Sequence, residues 1–148
     1  SAGIGFAVSA NTVRRVVPAL ISRGYYPHPW LGASMLPLSP STAELFREAG
    51  MDIPNDSGLL IVELYRDAPA YNAGLQAGQR SVRVGQYRIP VGGDVITAIN
   101  GEPIRDMEEL TVYLETQTAV GDTVQVSIIR DGAEMVLPLV LEERPREY

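Results

Sequence analysis

Apolar positions along this chain follow two spacings, and the change from one to the other marks the elements. Residues Gly3–Ser9 read as a short strand with a turn, and Val13, Val16, Val17, Leu20 and Ile21 then recur at helical spacing. Asn11 or Ser9 can cap that helix, and Gly24 ends it. Tyr25-Tyr26-Pro27-His28-Pro29 cannot continue it, because each proline lacks an N–H and pushes its predecessor towards extended geometry. A domain boundary is expected here, with residues 1–27 as a strand-helix tail and linker and residues 28–148 as the main domain.

Beyond the boundary the period is mostly two. Trp30–Leu36 alternates enough for a strand that ends at Pro37, and a short helix follows from Pro40 or Ser41 to Ala49, with Ser41 and Glu44 as a capping box and Gly50 as the stop. Gly58–Leu64 is nearly all apolar, which suits a strand buried on both faces. Pro69–Ala73 has room for one short helix before Gly74. Residues 79–91 alternate about Gly85-Gln86 as a surface hairpin. Gly93–Ile99 is a strand closed by the turn Asn100-Gly101, with Glu102-Pro103-Ile104 as its continuation. Asp106 caps a helix that carries Met107, Leu110, Thr111, Val112 and Leu114. Thr123–Arg130 and Ala133–Leu141 form a hairpin about Asp131-Gly132, and the polar end from Glu142 to Tyr148 is expected to fray. Five or six strands with two or three short helices predict an α+β, mostly β fold or a small, partly open barrel. Helix-length stretches are too few for βαβ crossovers.

Composition narrows the chemistry. The 148 residues are 45% hydrophobic and 20% charged, enough for one well-formed core. A net charge of −6 without a basic cluster disfavours nucleic acid as a partner. All 12 basic residues are arginine, so lysine-dependent phosphate loops, Schiff bases and general bases are excluded. The absence of cysteine excludes thiol catalysis, thiolate metal sites and disulfides. No apolar run approaches the ~20 residues of a membrane span. The opening Ser1-Ala2-Gly3 lacks an initiator methionine and the charged start of a signal peptide, so the chain is expected to be part of a longer polypeptide with any targeting segment upstream.

Candidate catalytic patterns are thin. Asp56-Ser57-Gly58 echoes a trypsin-type nucleophile, but the flanking glycines of an oxyanion turn are missing, and His28, the one histidine, lies between two prolines. Glu108-Glu109 and Glu142-Glu143 are sequence neighbours that normally face solvent. Asp52–Asp56 carries a proline and no closing glutamate, so no calcium loop is expected. No catalytic residue, metal or cofactor is assigned to the chain. Leu31-Gly32-Ala33 stands apart, because a glycine turn that opens a strand exposes successive N–H groups able to hold an anion such as a peptide carboxylate. A plain turn is the other reading of such a triplet.

Five blocks, in order, carry a resemblance. They are Trp30-Leu31-Gly32-Ala33, Gly58–Leu64, Ala68-Pro69-Ala70 with Ala73–Gly78, Gly93–Gly101, and Gly121–Val124 running to Ile129–Gly132. Together they resemble a bacterial PDZ domain of the HtrA/Deg serine-protease family over residues 30–142. Residues 3–8 and the helix from Asn11 to Arg23 are similar to the last strand and closing helix of that family's trypsin-like protease domain. The resemblance implies a PDZ-like fold that binds the hydrophobic C-termini of unfolded or regulatory proteins, attached to an upstream protease domain that carries the catalytic residues. It also implies an extracytoplasmic location and trimer-based homo-oligomers.

By position it further implies that the N–H groups of Leu31, Gly32 and Ala33 bind the peptide carboxylate, while Ala33, Ser34, Met35 and Leu36 pair with the peptide backbone. Met107, Thr111 and Leu114 would line the pocket for the last side chain. Core packing is the alternative for these three, and Leu114 can serve both ends. Leu110 is expected in the core, and Trp30 as an anchor between linker and domain rather than a rim aromatic. Two departures stand out: the hairpin at about residues 80–91, and the long stretch Pro37–Ser57, which could close the groove and leave a structural module that packs on the protease or another subunit.

Overall fold

In the computed structural model, which describes residues 26–145, the apolar run at 59–64 becomes the spine of the domain. The elements in chain order are β1 (Pro29–Trp30), β2 (Ala33–Pro37), α1 (Pro40–Glu48), β3 (Leu59–Leu64), α2 (Pro69–Asn72), β4 (Arg80–Val84), β5 (Tyr87–Val91), β6 (Val95–Ile99), β7 (Glu102–Pro103), α3 (Met107–Gln117), β8 (Thr123–Arg130), β9 (Ala133–Val140) and β10 (Glu142–Glu143). The main sheet is antiparallel in the order β2-β3-β6-β8-β9, with β7 attached to β6. Two small ladders, β4-β5 and β1-β10, stand apart from it. The sheets are open rather than closed into a barrel. The tail strand and helix expected before Tyr26 lie outside the described residues.

Alternation along β3 places two cores on opposite faces of the sheet. Leu59 and Ile61 join Ile96, Val126, Ile128, Leu110 and Leu114 on one side. Leu60 joins Phe46, Ile89, Val91, Val95 and Ile129 on the other. The first face is therefore covered by α3 and the second by α1 and the β4-β5 hairpin, which is why β3 carries almost no polar residue. Stretch 37–57 belongs to the second face: Phe46 and Ile53 are buried there, with Leu45 and Met51 packed beside them.

Several turns follow from residue chemistry. Asn100 and Gly101 have φ of 51° and 82°, and Asp131 and Gly132 have 53° and 80°, the paired positive values of two-residue hairpin loops. Asp106 caps α3, its side chain accepting from Glu109 N at 2.8 Å. Three expectations are corrected. The cap of α1 is Ser39, whose Oγ accepts from Thr42 N, rather than Ser41; Pro40 at the first helical position moves the start one step earlier. The strand expected from Trp30 is split at Leu31-Gly32, where Gly32 has φ of 78° and turns the chain. Residues 142–143 do not fray but form β10 against β1, with Pro29 opposite Glu143 and Trp30 opposite Glu142.

Candidate functional site

A groove of about 200 Å³ lies between the start of β2 and one face of α3. Helical spacing puts Met107, Thr111 and Leu114 on that face. Ala33 and Met35 of β2 form the facing wall, and Trp30, Leu31 and Gly32 form one end. Among the described residues, strand β2 is the edge of its sheet, bonded only to β3 and with its other side open. No residue of 37–57 lines this groove, because that segment packs on the far face of the sheet.

The Leu31-Gly32 turn is held by its carbonyls. Ala70 N donates to Leu31 O at 2.8 Å, and Tyr65 N donates to Gly32 O at 3.0 Å. In a trans peptide the carbonyl and the following N–H point in opposite directions. The N–H groups of Gly32 and Ala33 therefore point away from Ala70 and Tyr65. Ala33 sits opposite Leu64, and the Tyr65-to-Gly32 bond marks this as a pair that does not bond to itself, which leaves both polar groups of Ala33 facing the open edge.

Packing beneath the turn accounts for the Ala68-Pro69-Ala70 block. A β-carbon on Gly32 would lie 2.2 Å from that of Ala68, so nothing larger than glycine fits, and the positive φ disfavours a side chain as well. Ala68 and Ala70 are buried and small enough for the two backbones to meet. The adjoining Gly93-Asp94 block ties the same region to the sheet. Gly93 leaves no room for a β-carbon, which would lie 2.3 Å from Ile61 O. Asp94, at 0% exposure, accepts from Arg130 Nε at 2.9 Å through Oδ1, and from Arg130 Nη2 at 2.7 Å and Gln76 N at 2.8 Å through Oδ2. Those hydrogen bonds hold the Arg130 guanidinium above its ordinary pKa.

Seven of the eight candidate residues meet in this groove: Leu31, Gly32, Ala33, Met35, Met107, Thr111 and Leu114. Ser34 does not line it; its Oγ lies 2.8 Å from the Tyr65 hydroxyl, on the other side of β2, and only its backbone belongs to the edge. Leu114 is both core and groove wall, at 6% exposure, whereas Met107 is 38% exposed and Leu110 is core alone. Trp30 stacks on Tyr65 at 5.9 Å and also lines the groove, so it is a rim aromatic as well as a packing anchor. Pro29, Glu115 and Arg144 complete the rim and were not anticipated. Glu115 Oε2 lies 2.8 Å from Nδ1 of His28, and the Arg144 amide donates to His28 O at 2.8 Å. The two-residue ladder that brings Arg144 here leaves no periodicity to read.

On comparison with known proteins, the family described as PDZ domain matches residues 29–139. The chain is 30% identical over 145 residues to the serine protease Do-like HtrA of Bacillus subtilis, covering 96% of this chain and 29% of that protein. It is 31% identical over 145 residues to a probable periplasmic DegP-like serine endoprotease of a Marinomonas strain, covering 98% and 26%. The chain thus spans less than a third of the curated relatives it matches. Among solved structures, the HtrA-type protease AlgW with a decapeptide superposes with a TM-score of 0.66 at 24% identity, over 88% of this chain and 34% of that one. The HtrA3 PDZ domain bound to a phage-derived ligand superposes with a TM-score of 0.59 at 20% identity, over 77% and 86%.

Proposed function

Because the chain belongs to the PDZ domain family and its relatives are HtrA and DegP-like serine proteases, we propose that it binds the free C-terminal ends of polypeptides by strand addition at β2. The observation that carries this reading is the edge of β2, which is unpaired among the described residues and faces α3 across a groove, with the N–H groups of Gly32 and Ala33 turned away from their own sheet. A peptide carboxylate accepts from those amides, and its backbone pairs with Ala33 onward. The last side chain enters between Ala33, Met35, Met107, Thr111 and Leu114, walls that suit an apolar group of medium size. Arg144 at the rim adds a cation near the carboxylate.

A few backbone bonds and one small pocket correspond to micromolar affinity, about −8 kcal/mol. The reading extends to the parent protein: an extracytoplasmic serine endopeptidase, oligomeric and trimer-based, whose upstream domain does the chemistry while this module recruits substrates or regulators. The rival reading, a module closed by residues 37–57, has no support in a groove that those residues do not line. The reading is tested by titrating a labelled peptide that ends in a free apolar residue. Saturable binding that weakens at least tenfold with Met107→Ala plus Thr111→Ala supports it, and binding indifferent to both changes contradicts it.

A further inference from the structure

The β4-β5 hairpin takes no part in the peptide groove, yet its charge pattern is unlike the rest of the chain. Residues 79–93 hold three arginines and no acid in a chain whose net charge is −6. Arg83 and Arg88 sit directly opposite each other in the ladder, an arrangement that destabilises a hairpin. Among the described residues neither joins an ion pair; Arg83 reaches only the Gly85 carbonyl. Val82 and Val84 pack towards the second core, so Arg83 and Arg88 project together from the opposite, outward face of the hairpin.

A second surface has the complementary character. The outer side of α3 and strand β7 enclose a groove of about 750 Å³, within the range of a ligand-sized site. Its walls carry Glu102 and Glu108, which form no ion pair among the described residues, together with Val112 at 54% exposure and Tyr113. The cation in the groove, Arg105, is already matched by Glu109 at 3.0 Å. None of its lining residues is shared with the peptide groove.

We propose that the hairpin of one copy of this chain docks, through Arg83 and Arg88, into the β7-α3 groove of a second copy. The contact must form between molecules, because the hairpin and α3 cover opposite faces of the sheet. Two different patches meet, so the contact is head-to-tail and builds chains or closed rings. An anionic membrane would use the arginines alone and leave the acidic, apolar groove without a role.

The test is sedimentation of the chain across concentrations up to about 1 mM, where weak self-contacts populate. Reversible association that weakens at least about tenfold between 0.05 and 0.5 M salt is expected. Arg83→Glu/Arg88→Glu and Glu102→Arg/Glu108→Arg should each be monomeric alone, since each repels itself, and their mixture should associate again. Circular dichroism confirms that both remain folded. Three results would overturn the proposal: a monomeric parent chain at all concentrations, a groove variant that still self-associates, or mixed variants that stay apart. Arginine-dependent binding of a monomeric parent chain to vesicles containing phosphatidylserine would assign the hairpin to a membrane instead.

Discussion

Replacing Asp94 by alanine removes the acceptor that joins three segments of the domain. In the native protein its buried carboxylate accepts two bonds from Arg130 and one from the Gln76 amide, and Arg130 also donates to Gly74 O at 2.9 Å. The variant leaves a guanidinium whose side chain is only 20% exposed without its counter-ion, and a part-buried N–H without an acceptor. Breaking one side of such a pair costs about 3–5 kcal/mol, and an orphaned N–H adds roughly 1–3 kcal/mol. Arg130 retains some access to water and can turn outward, which keeps the total near 4 kcal/mol rather than at the sum. That is a large share of the 5–15 kcal/mol typical of a domain and corresponds to a fall in Tm of roughly 10–15 °C.

Urea unfolding followed by the fluorescence of Trp30, the only tryptophan, measures it. Arg130→Met alone should cost a similar amount, because it strands a buried carboxylate. The double variant should lose less than the sum of the two by about 1.5–3 kcal/mol. Peptide affinity should fall as well, since the clip ties the end of α2 to the sheet and α2 carries the alanines beneath Gly32. A loss under about 1 kcal/mol for Asp94→Ala, or strict additivity in the cycle, would refute the reasoning.

Gly32→Ala must displace Ala68 and adopt an unfavourable φ, so it should lose about 2–4 kcal/mol of stability and at least tenfold in peptide affinity, read by unfolding and anisotropy. Leu114→Ala should lower stability by about 2–4 kcal/mol and weaken binding, whereas the more exposed Met107→Ala should weaken binding with less than about 1 kcal/mol of destabilisation. Arg144→Ala should weaken binding of a free-acid peptide two- to fivefold, about 0.5–1 kcal/mol, and reduce its salt dependence. Glu109 accepts from the Arg105 side chain and its amide, which lowers its pKa below the ordinary glutamate range. Its small contribution is therefore complete above the unfolded-state value and lost as pH falls through the lowered one; an NMR titration of its carboxyl with a midpoint at or above the ordinary value would contradict this.

Much of this architecture is written locally. Asn100-Gly101 and Asp131-Gly132 specify their turns through residues that tolerate positive φ, and Asp106 marks the start of α3 by its side-chain acceptor. The run at 59–64 announces a strand covered on both faces, and the two cores confirm it. What escaped depends on distant partners. The glycine turn at Leu31-Gly32-Ala33 is legible in the sequence, but what holds it is not: Ala68 and Ala70 approach it from 36 residues or more away. A register shift between Ser34 and Met35 likewise leaves no mark on an apolar-polar pattern. Arg144 reaches the groove rim through a ladder two residues long, too short to have a period, whereas Glu115 follows from its spacing in α3, four residues beyond Thr111. Ser39 and Ser41 are equally good caps in isolation, and the proline between them decides.

The claim that this groove captures a chain terminus is tested most directly by fluorescence anisotropy of one apolar-ended peptide in two forms, free acid and C-terminal amide, titrated with this chain. Micromolar binding of the acid that amidation weakens by at least about tenfold is the predicted result, because the amide no longer presents a charged acceptor to Gly32 and Ala33. Equal affinity for the two forms, or no binding of either across a broad peptide pool, would contradict it.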